Sequence, residues 1–119
     1  MAINTAKNHY LGKNGCKRMN CAQAIMHAFK EKFEIDESMV EQFKLYGSGN
    51  APDGLCGAYY ATKHILEKST ASGKYGELEK YFLEKAGAVK CREIRRAKKL
   101  SCLGCVEGCC EYLVDFCES

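Results

Sequence analysis

The sequence predicts an all-α fold, a single-domain helical bundle of five or six helices that spans residues 1–119. β-Branched residues are few, with four Val, five Ile and three Thr, and no stretch alternates apolar and polar residues for the length of a strand. Apolar residues recur instead at helical spacing. A chain of 119 residues that is 46% hydrophobic has enough apolar material for one compact domain.

Helix start signals divide the first half of the chain. A first helix is expected over residues 3–11. Asn20 is a predicted N-cap, and Gln23 three residues later completes a capping box. The apolar residues that follow keep helical spacing as far as Phe33. Asp36 is predicted to cap the next helix, which should end near residue 46.

Glycines and capping side chains set the boundaries in the second half. Residues 47–54 form a predicted loop, in which Asp53 is expected to cap a helix that runs to Lys68. A second loop is expected over residues 69–76. Gly87 should end a helix in the left-handed conformation, and Ser101 should cap the last helix. The other predicted helices cover residues 77–86, a short basic segment around Cys91, and 102–116.

Composition excludes several classes of protein. No run approaches the roughly 18 apolar residues that a membrane span needs, so no membrane association is expected. The N-terminal residues 1–8 lack the basic and apolar pattern of an export signal, which leads us to expect a cytoplasmic location. The net charge of +3 is too small to indicate nucleic-acid binding.

The nine cysteines are the strongest chemical signal in the sequence. Cytosolic thiols are normally kept reduced, so this density indicates metal binding or redox chemistry rather than a disulfide scaffold. An odd number of cysteines also cannot all pair within one chain.

Four cysteines lie where a thiolate would be favoured over a thiol. Cys21, Cys56 and Cys102 lie at predicted helix starts, where unsatisfied backbone N–H groups give a partial positive charge. Cys91 lies in a segment with six Lys and Arg residues. The alternative interpretation is that each of these cysteines is a small apolar side chain in a helical core.

The last helix carries further sulfurs. Cys102, Cys105 and Cys109 are spaced i, i+3 and i+7, so they share one face and can supply several sulfurs to one site. Cys110 and Cys117 lie on the flank of this face and are expected mainly to pack in the core.

Several known cysteine signatures are absent. The Cys102–Cys105 pair is not followed by His, so covalent haem attachment is unsupported. The spacing of these cysteines is not that of a bacterial ferredoxin. Cys16 lies in a predicted loop, either near Cys21 or as a free surface thiol.

Four short motifs in order resemble the family of redox-active proteins that is named for its C-GCAxxG-C-C cysteine pattern. The motifs are Asn20-Cys21-Ala22-Gln23-Ala24, Cys56-Gly57-Ala58 with Ala61, Cys91-Arg92-Glu93-Ile94, and Cys102 ahead of Val106. The resemblance covers residues 6–116 and implies that the family's four cysteines correspond to Cys21, Cys56, Cys91 and Cys102. Ala61 stands where the family usually has glycine. A similar domain in split-Soret cytochromes suggests iron–sulfur binding.

The leading hypothesis is a small redox-active protein, an oxidoreductase or an electron-transfer protein. Cys21, Cys56, Cys91 and Cys102 would converge at one end of the bundle, supported by Cys105 or Cys109. These cysteines would act by thiol/disulfide exchange with a redox partner protein or would hold an iron–sulfur cluster. The sequence does not choose between these two forms of chemistry.

Two alternatives remain. The four cysteines could ligate zinc without redox turnover, although the usual structural zinc sites use paired CxxC motifs and this chain has one. The chain could also be a helical interaction module whose thiols are incidental. A homodimer is compatible with every one of these hypotheses.

Overall fold

The computed structural model describes residues 2–13, 15, 18–47, 51–68 and 75–118. Over these residues the protein is all-α, as the sequence predicts, and contains seven α-helices rather than five or six. Each of the seven corresponds to a segment for which the sequence predicts a helix, so only the predicted total was too low. The helices are α1 (Ala2–Leu11), α2 (Cys21–Ala28), α3 (Glu37–Gln42), α4 (Gly57–Lys68), α5 (Tyr75–Ala86), α6 (Cys91–Ala97) and α7 (Cys102–Glu118).

Three of the predicted N-caps are confirmed. Asn20 accepts the Gln23 N–H at 2.8 Å, and the capping box is complete. Asp36 accepts the Met39 N–H at 3.0 Å, and the Ser101 hydroxyl accepts the Gly104 N–H at 3.0 Å. Each of these bonds satisfies a backbone donor that has no partner within its helix.

The predicted cap of α4 is wrong. Asp53 lies in a short 3₁₀ turn with a φ of 61°, away from the helix start. The helix begins at Gly57, and Cys56 takes the cap position: the Tyr60 N–H donates to the Cys56 carbonyl oxygen at 2.9 Å. The left-handed backbone at Asp53 turns the chain before the helix can begin.

The end of α2 and the start of α5 also differ from expectation. The α-helix ends at Ala28 rather than near Phe33, and turns carry the chain on to Glu34, whose φ is 53°. Tyr75 begins α5, two residues before the predicted start. The rest of the second predicted loop, residues 69–74, lies outside the described residues. Gly87 has a φ of 83°, as its predicted role requires.

The core forms where α2 packs against α1, α4 and α7. Ile25 and Met26 of α2 are fully buried there, together with Val106 and Leu113 of α7. This packing brings the N-terminal ends of α2, α4 and α7 toward one region of the surface.

A backbone contact joins the segments that precede α4 and α6. The Cys56 N–H donates to the Val89 carbonyl oxygen at 2.8 Å, and Leu55 and Lys90 form an isolated antiparallel bridge. No strand is present among the described residues. The contact fixes Cys56 beside Cys91, although 35 positions separate them in the sequence.

None of the described helices is both long enough and apolar enough to cross a bilayer.

Candidate functional site

Four cysteines from four helix starts line one cleft. Cys21, Cys91 and Cys102 are the first residues of α2, α6 and α7, and Cys56 immediately precedes α4. The cleft, here called the Cys21 cleft, has a volume of about 460 Å³. Its lining consists of Tyr10, Arg18, Met19, Asn20, Cys21, Gln23, Lys44, Cys56, Gly57, Cys91, Arg95 and Cys102.

A second cleft adjoins the first and adds a fifth cysteine. This Cys105 cleft has a volume of about 310 Å³ and shares Cys56, Cys91, Arg95 and Cys102 with the Cys21 cleft. Its remaining lining residues are Ile94, Lys98, Leu100, Ser101 and Cys105. Five cysteines therefore border one continuous region.

The walls of both clefts are cationic. Arg18 and Lys44 line the Cys21 cleft, Lys98 lines the Cys105 cleft, and Arg95 lines both. Among the described lining residues there is no Asp or Glu. The N-terminal ends of α2, α4 and α7 add partial positive charge. The region therefore favours negative charge, whether on a sulfur or on a ligand.

Cys21 is held by close packing between α2 and α4. Its side chain is 8% exposed, and a Cβ atom at Gly57 would lie 2.6 Å from its sulfur. The same atom would lie 2.7 Å from the Tyr46 carbonyl oxygen. Glycine at position 57 is therefore what allows the Cys21 sulfur to occupy this side of the cleft.

Asn20 connects the start of α2 to the cationic wall. Besides capping α2, its side-chain amide donates to the Lys44 carbonyl oxygen at 2.8 Å. This bond fixes the backbone of Lys44 beside the cleft.

Cys56 acts as a sulfur N-cap. Backbone N–H groups of Ala58 and Tyr59 donate to its side chain, as they would to the oxygen of a Ser or Asp cap. Its S–H in turn donates to Cys105. That hydrogen bond, followed by burial, holds the pKa of the Cys56 thiol well above its usual range, although the two backbone donors lower it.

Cys91 is half-buried, and its pKa is also raised. Burial is the largest cause, and the opposing effect of the Arg95 charge does not compensate for it. For Cys56 and Cys91 the expectation of favoured thiolates is therefore wrong. The helix start and the basic neighbours are present, but the hydrogen bond to Cys105 has the larger effect on Cys56 and the loss of solvation has the larger effect on Cys91.

Cys102 accepts hydrogen bonds from two side chains of other helices. It is half-buried at the start of α7, and both the Tyr10 side chain and the Arg95 guanidinium donate hydrogen bonds to it. Burial, followed by the charge and hydrogen bond of Cys102, raises the pKa of Tyr10 to about 12. Tyr10 therefore keeps its proton and remains a donor at neutral pH.

The other cysteines of α7 lie deeper. Cys105 is 1% exposed and still borders its cleft. Cys109 is fully buried, lines neither cleft, and interacts through its side chain with Thr62 of α4. Cys110 is fully buried in the core, as expected. Cys16 and the side chain of Cys117 lie outside the described part of the chain.

The sequence did not reveal three of the lining side chains. These are Tyr10 of α1, Arg18 in the segment before α2 and Lys44 in the 3₁₀ turn after α3; none lies in a local motif, and the tertiary structure brings them to the cleft. Arg95 was identifiable as part of the basic segment around Cys91.

The cysteines do not form a ready-made site for a single metal ion. No group of three described His, Cys, Asp or Glu side chains is arranged to hold one ion. Zinc binding therefore gains no support from the described residues. An iron–sulfur cluster spreads four thiolates over several metal atoms, and the four cysteines around the Cys21 cleft supply that donor set.

Comparison with known proteins gives one match. No curated protein and no solved structure matches the chain. Residues 19–116 match the model of the family described as "Putative redox-active protein (C_GCAxxG_C_C)". Because the match spans most of the chain and includes all four cysteines of the Cys21 cleft, the protein belongs to this family of redox-active proteins.

Proposed function

We propose that the protein is a thiol redox protein that exchanges electrons with a partner by thiol–disulfide exchange at the cysteine-lined clefts. The observation that carries the proposal is the setting of Cys102. This sulfur is half-buried, borders both clefts, and accepts hydrogen bonds from Tyr10 and Arg95. These contacts hold the Cys102 sulfur at the border of both clefts, where its thiolate can attack a disulfide that enters either one.

The test is a count of reactive thiols in protein prepared without air. Mild oxidation by a disulfide is expected to remove thiols in pairs, and a dithiol reductant should restore them. Cys102→Ser should abolish most of this loss. Cys110→Ala is the matched control, because Cys110 is a buried α7 cysteine that borders neither cleft. A thiol count that mild oxidant leaves unchanged would contradict the proposal.

A second candidate function is electron transfer through an iron–sulfur cluster. It is favoured by the convergence of four cysteines, from four helix starts, on one cleft with cationic walls. Cys21, Cys56, Cys91 and Cys102 would be the ligands, and the cluster would supply one-electron chemistry. Arg95 and Tyr10 would contribute hydrogen bonds to the Cys102 sulfur, of the kind that tune cluster potentials.

Iron and acid-labile sulfide analysis of anaerobically prepared protein separates the two candidates. Stoichiometric iron and sulfide that are lost in Cys91→Ser and kept in Cys110→Ala would establish the cluster. Colourless, iron-free protein that still exchanges disulfides would establish the thiol mechanism. Stoichiometric zinc, with unfolding on chelation, would support the zinc alternative instead.

A further inference from the structure

We propose that Cys102 and Cys105 are the attacking and resolving thiols of the exchange reaction, and that its substrates are small anionic disulfides. This inference rests on the thiol–disulfide function proposed above and adds the cysteine pair, the order of attack and the charge of the substrate. Cys105 is not one of the four cysteines that correspond to the family pattern.

The two thiols differ in access. Cys102 is half-buried and borders both clefts, whereas Cys105 is 1% exposed and borders only one. An incoming disulfide therefore reaches Cys102 first. Cys105 is shielded from the substrate but lies one helical turn away, on the same side of α7.

The contacts of each thiol suit its role. Tyr10 and Arg95 donate to Cys102, and the Cys56 S–H donates to Cys105. Each sulfur is therefore held beside the cleft that it borders by a contact with a neighbouring polar side chain. Cys91 also borders both clefts, but burial raises its pKa and so keeps it protonated.

The pair can bond within the first turn of α7. Helical residues three positions apart have Cβ atoms about 5–6 Å apart, and a disulfide brings them to about 3.5–4.5 Å. The first turn must tighten to close that gap. Of the N–H groups from Cys102 to Cys105, only that of Cys105 has a regular helical partner, the Ser101 carbonyl oxygen at 2.9 Å, and Gly104 lies between the two cysteines.

The cationic walls select the charge of the substrate. Arg18, Lys44, Arg95 and Lys98 line the clefts, and the described lining residues include no carboxylate. This field attracts an anionic disulfide and repels a cationic one. The attraction must weaken as salt screens it.

The reaction balances in two steps. The Cys102 thiolate attacks one sulfur of R–S–S–R, so a Cys102–S–S–R bond forms and one R–S⁻ leaves and takes a proton from water. The Cys105 thiolate then attacks the Cys102 sulfur, and the second R–S⁻ leaves in the same way. Two protein thiols are oxidised to one disulfide, and the substrate disulfide is reduced to two thiols.

Disulfide mapping tests the cysteine pair. Reduced, metal-free protein is treated with glutathione disulfide and then cleaved after Lys99 and Glu107. Residues 100–107 contain Cys102 and Cys105 and no other cysteine, so this peptide should become lighter by two hydrogens. A bond from Cys105 to Cys56, or from Cys102 to Cys91, would overturn the assignment.

Trapping tests the order of attack. In Cys105→Ser the glutathionyl group should stay on Cys102, because the resolving thiol is missing, whereas Cys110→Ala should resolve it as the wild type does. Release of glutathione from Cys105→Ser at the wild-type rate would refute the resolving role. If circular dichroism shows that Cys105→Ser does not fold, the mapping of wild-type protein decides the pair.

Salt dependence tests the charge of the substrate. The rate with anionic glutathione disulfide should fall about tenfold or more between low and high salt, the rate with cationic cystamine should rise, and that with neutral hydroxyethyl disulfide should stay constant. Salt effects of the same sign on all three would overturn the charge selection. Absence of exchange with every disulfide would refute the proposed function itself, whereas exchange through another pair would refute only this inference.

Discussion

Replacement of Gly57 by alanine tests how closely the site depends on helix packing. The new Cβ atom would lie 2.6 Å from the Cys21 sulfur, 2.7 Å from the Tyr46 carbonyl oxygen and 3.3 Å from the Ala22 Cβ. Non-bonded carbon atoms prefer about 3.5–4.0 Å, so α2 and α4 must separate by roughly 1 Å at this point. One of the closest contacts is backbone, which cannot rotate away as the end of a side chain can.

The cost follows from two opposing effects. Overpacking of a core costs about 1–3 kcal/mol. The better helix propensity of alanine offsets at most about 1 kcal/mol of this cost. We expect Gly57→Ala to lower the free energy of unfolding by about 1–2 kcal/mol. For a chain of this length, that change lowers the melting temperature by roughly 4–8 °C.

Gly108→Ala is the matched control. Gly108 lies inside α7, and an added Cβ there would meet nothing within 4 Å. Only the change in helix propensity then affects stability, and the free energy of unfolding should rise by about 0.5–1 kcal/mol. Thermal unfolding of the reduced variants, followed by circular dichroism, measures both changes. Gly57→Ala at least as stable as Gly108→Ala would refute the packing argument, as would unchanged alkylation of Cys21 in a folded Gly57→Ala variant.

Three further predictions concern single side chains. Asn20→Ala should lower the free energy of unfolding, measured by urea titration, by about 2 kcal/mol, because the cap of α2 and the bond to the Lys44 carbonyl oxygen are both lost. Asn20→Asp keeps the cap and should lower the free energy of unfolding by less. Tyr10→Phe should slow alkylation of Cys102 by iodoacetamide about fivefold, the equivalent of one hydrogen bond of about 1 kcal/mol, and an unchanged rate would exclude that contact. Burial raises the pKa of Cys110 to about 12 in the folded protein, whereas the pKa of a cysteine in the unfolded chain is about 8.5. As the pH rises from about 8.5 toward 12, the unfolded chain therefore loses this proton before the folded protein does, and the free energy of unfolding falls. Cys110→Ala should reduce this alkaline slope by up to about 1.4 kcal/mol per pH unit, and identical slopes for the two proteins would show that Cys110 does not contribute.

The sequence predicted those parts of the fold that depend on neighbouring residues. The caps at Asn20, Asp36 and Ser101 were predictable because donor and acceptor lie three positions apart. The cap of α4 was not, because Asp53 adopts a left-handed backbone and a sulfur takes over the role of the oxygen. The known N-cap preferences concern side chains with an oxygen acceptor, so they do not identify Cys56 as the acceptor.

The other residues that line the clefts were less predictable from the sequence than the cysteines. Helix-start spacing indicated Cys21, Cys56 and Cys102 as a group, but no local pattern joins Tyr10 or Lys44 to them. Tyr10 reaches the cleft through the packing of α1, and Lys44 is held there by the hydrogen bond from Asn20, 24 positions away. The pKa of Cys56 was mispredicted for the same reason, since its main cause is a contact with Cys105, 49 positions away.

Placement at helix starts fixes the positions of the sulfurs without fixing their charge. A residue at the start of a helix has its backbone held by the cap and by the first turn, so its sulfur is located by the fold and not only by its own side-chain rotamer. The surroundings then set the charge separately at each position: the hydrogen bond to Cys105, together with burial, raises the pKa of Cys56, and burial raises the pKa of Cys91. Cys102 differs from these two because it has side-chain donors from two other helices, Tyr10 of α1 and Arg95 of α6. The reactivity of the site therefore depends on how α1, α6 and α7 pack together, and a change that leaves every cysteine in place can still alter the chemistry.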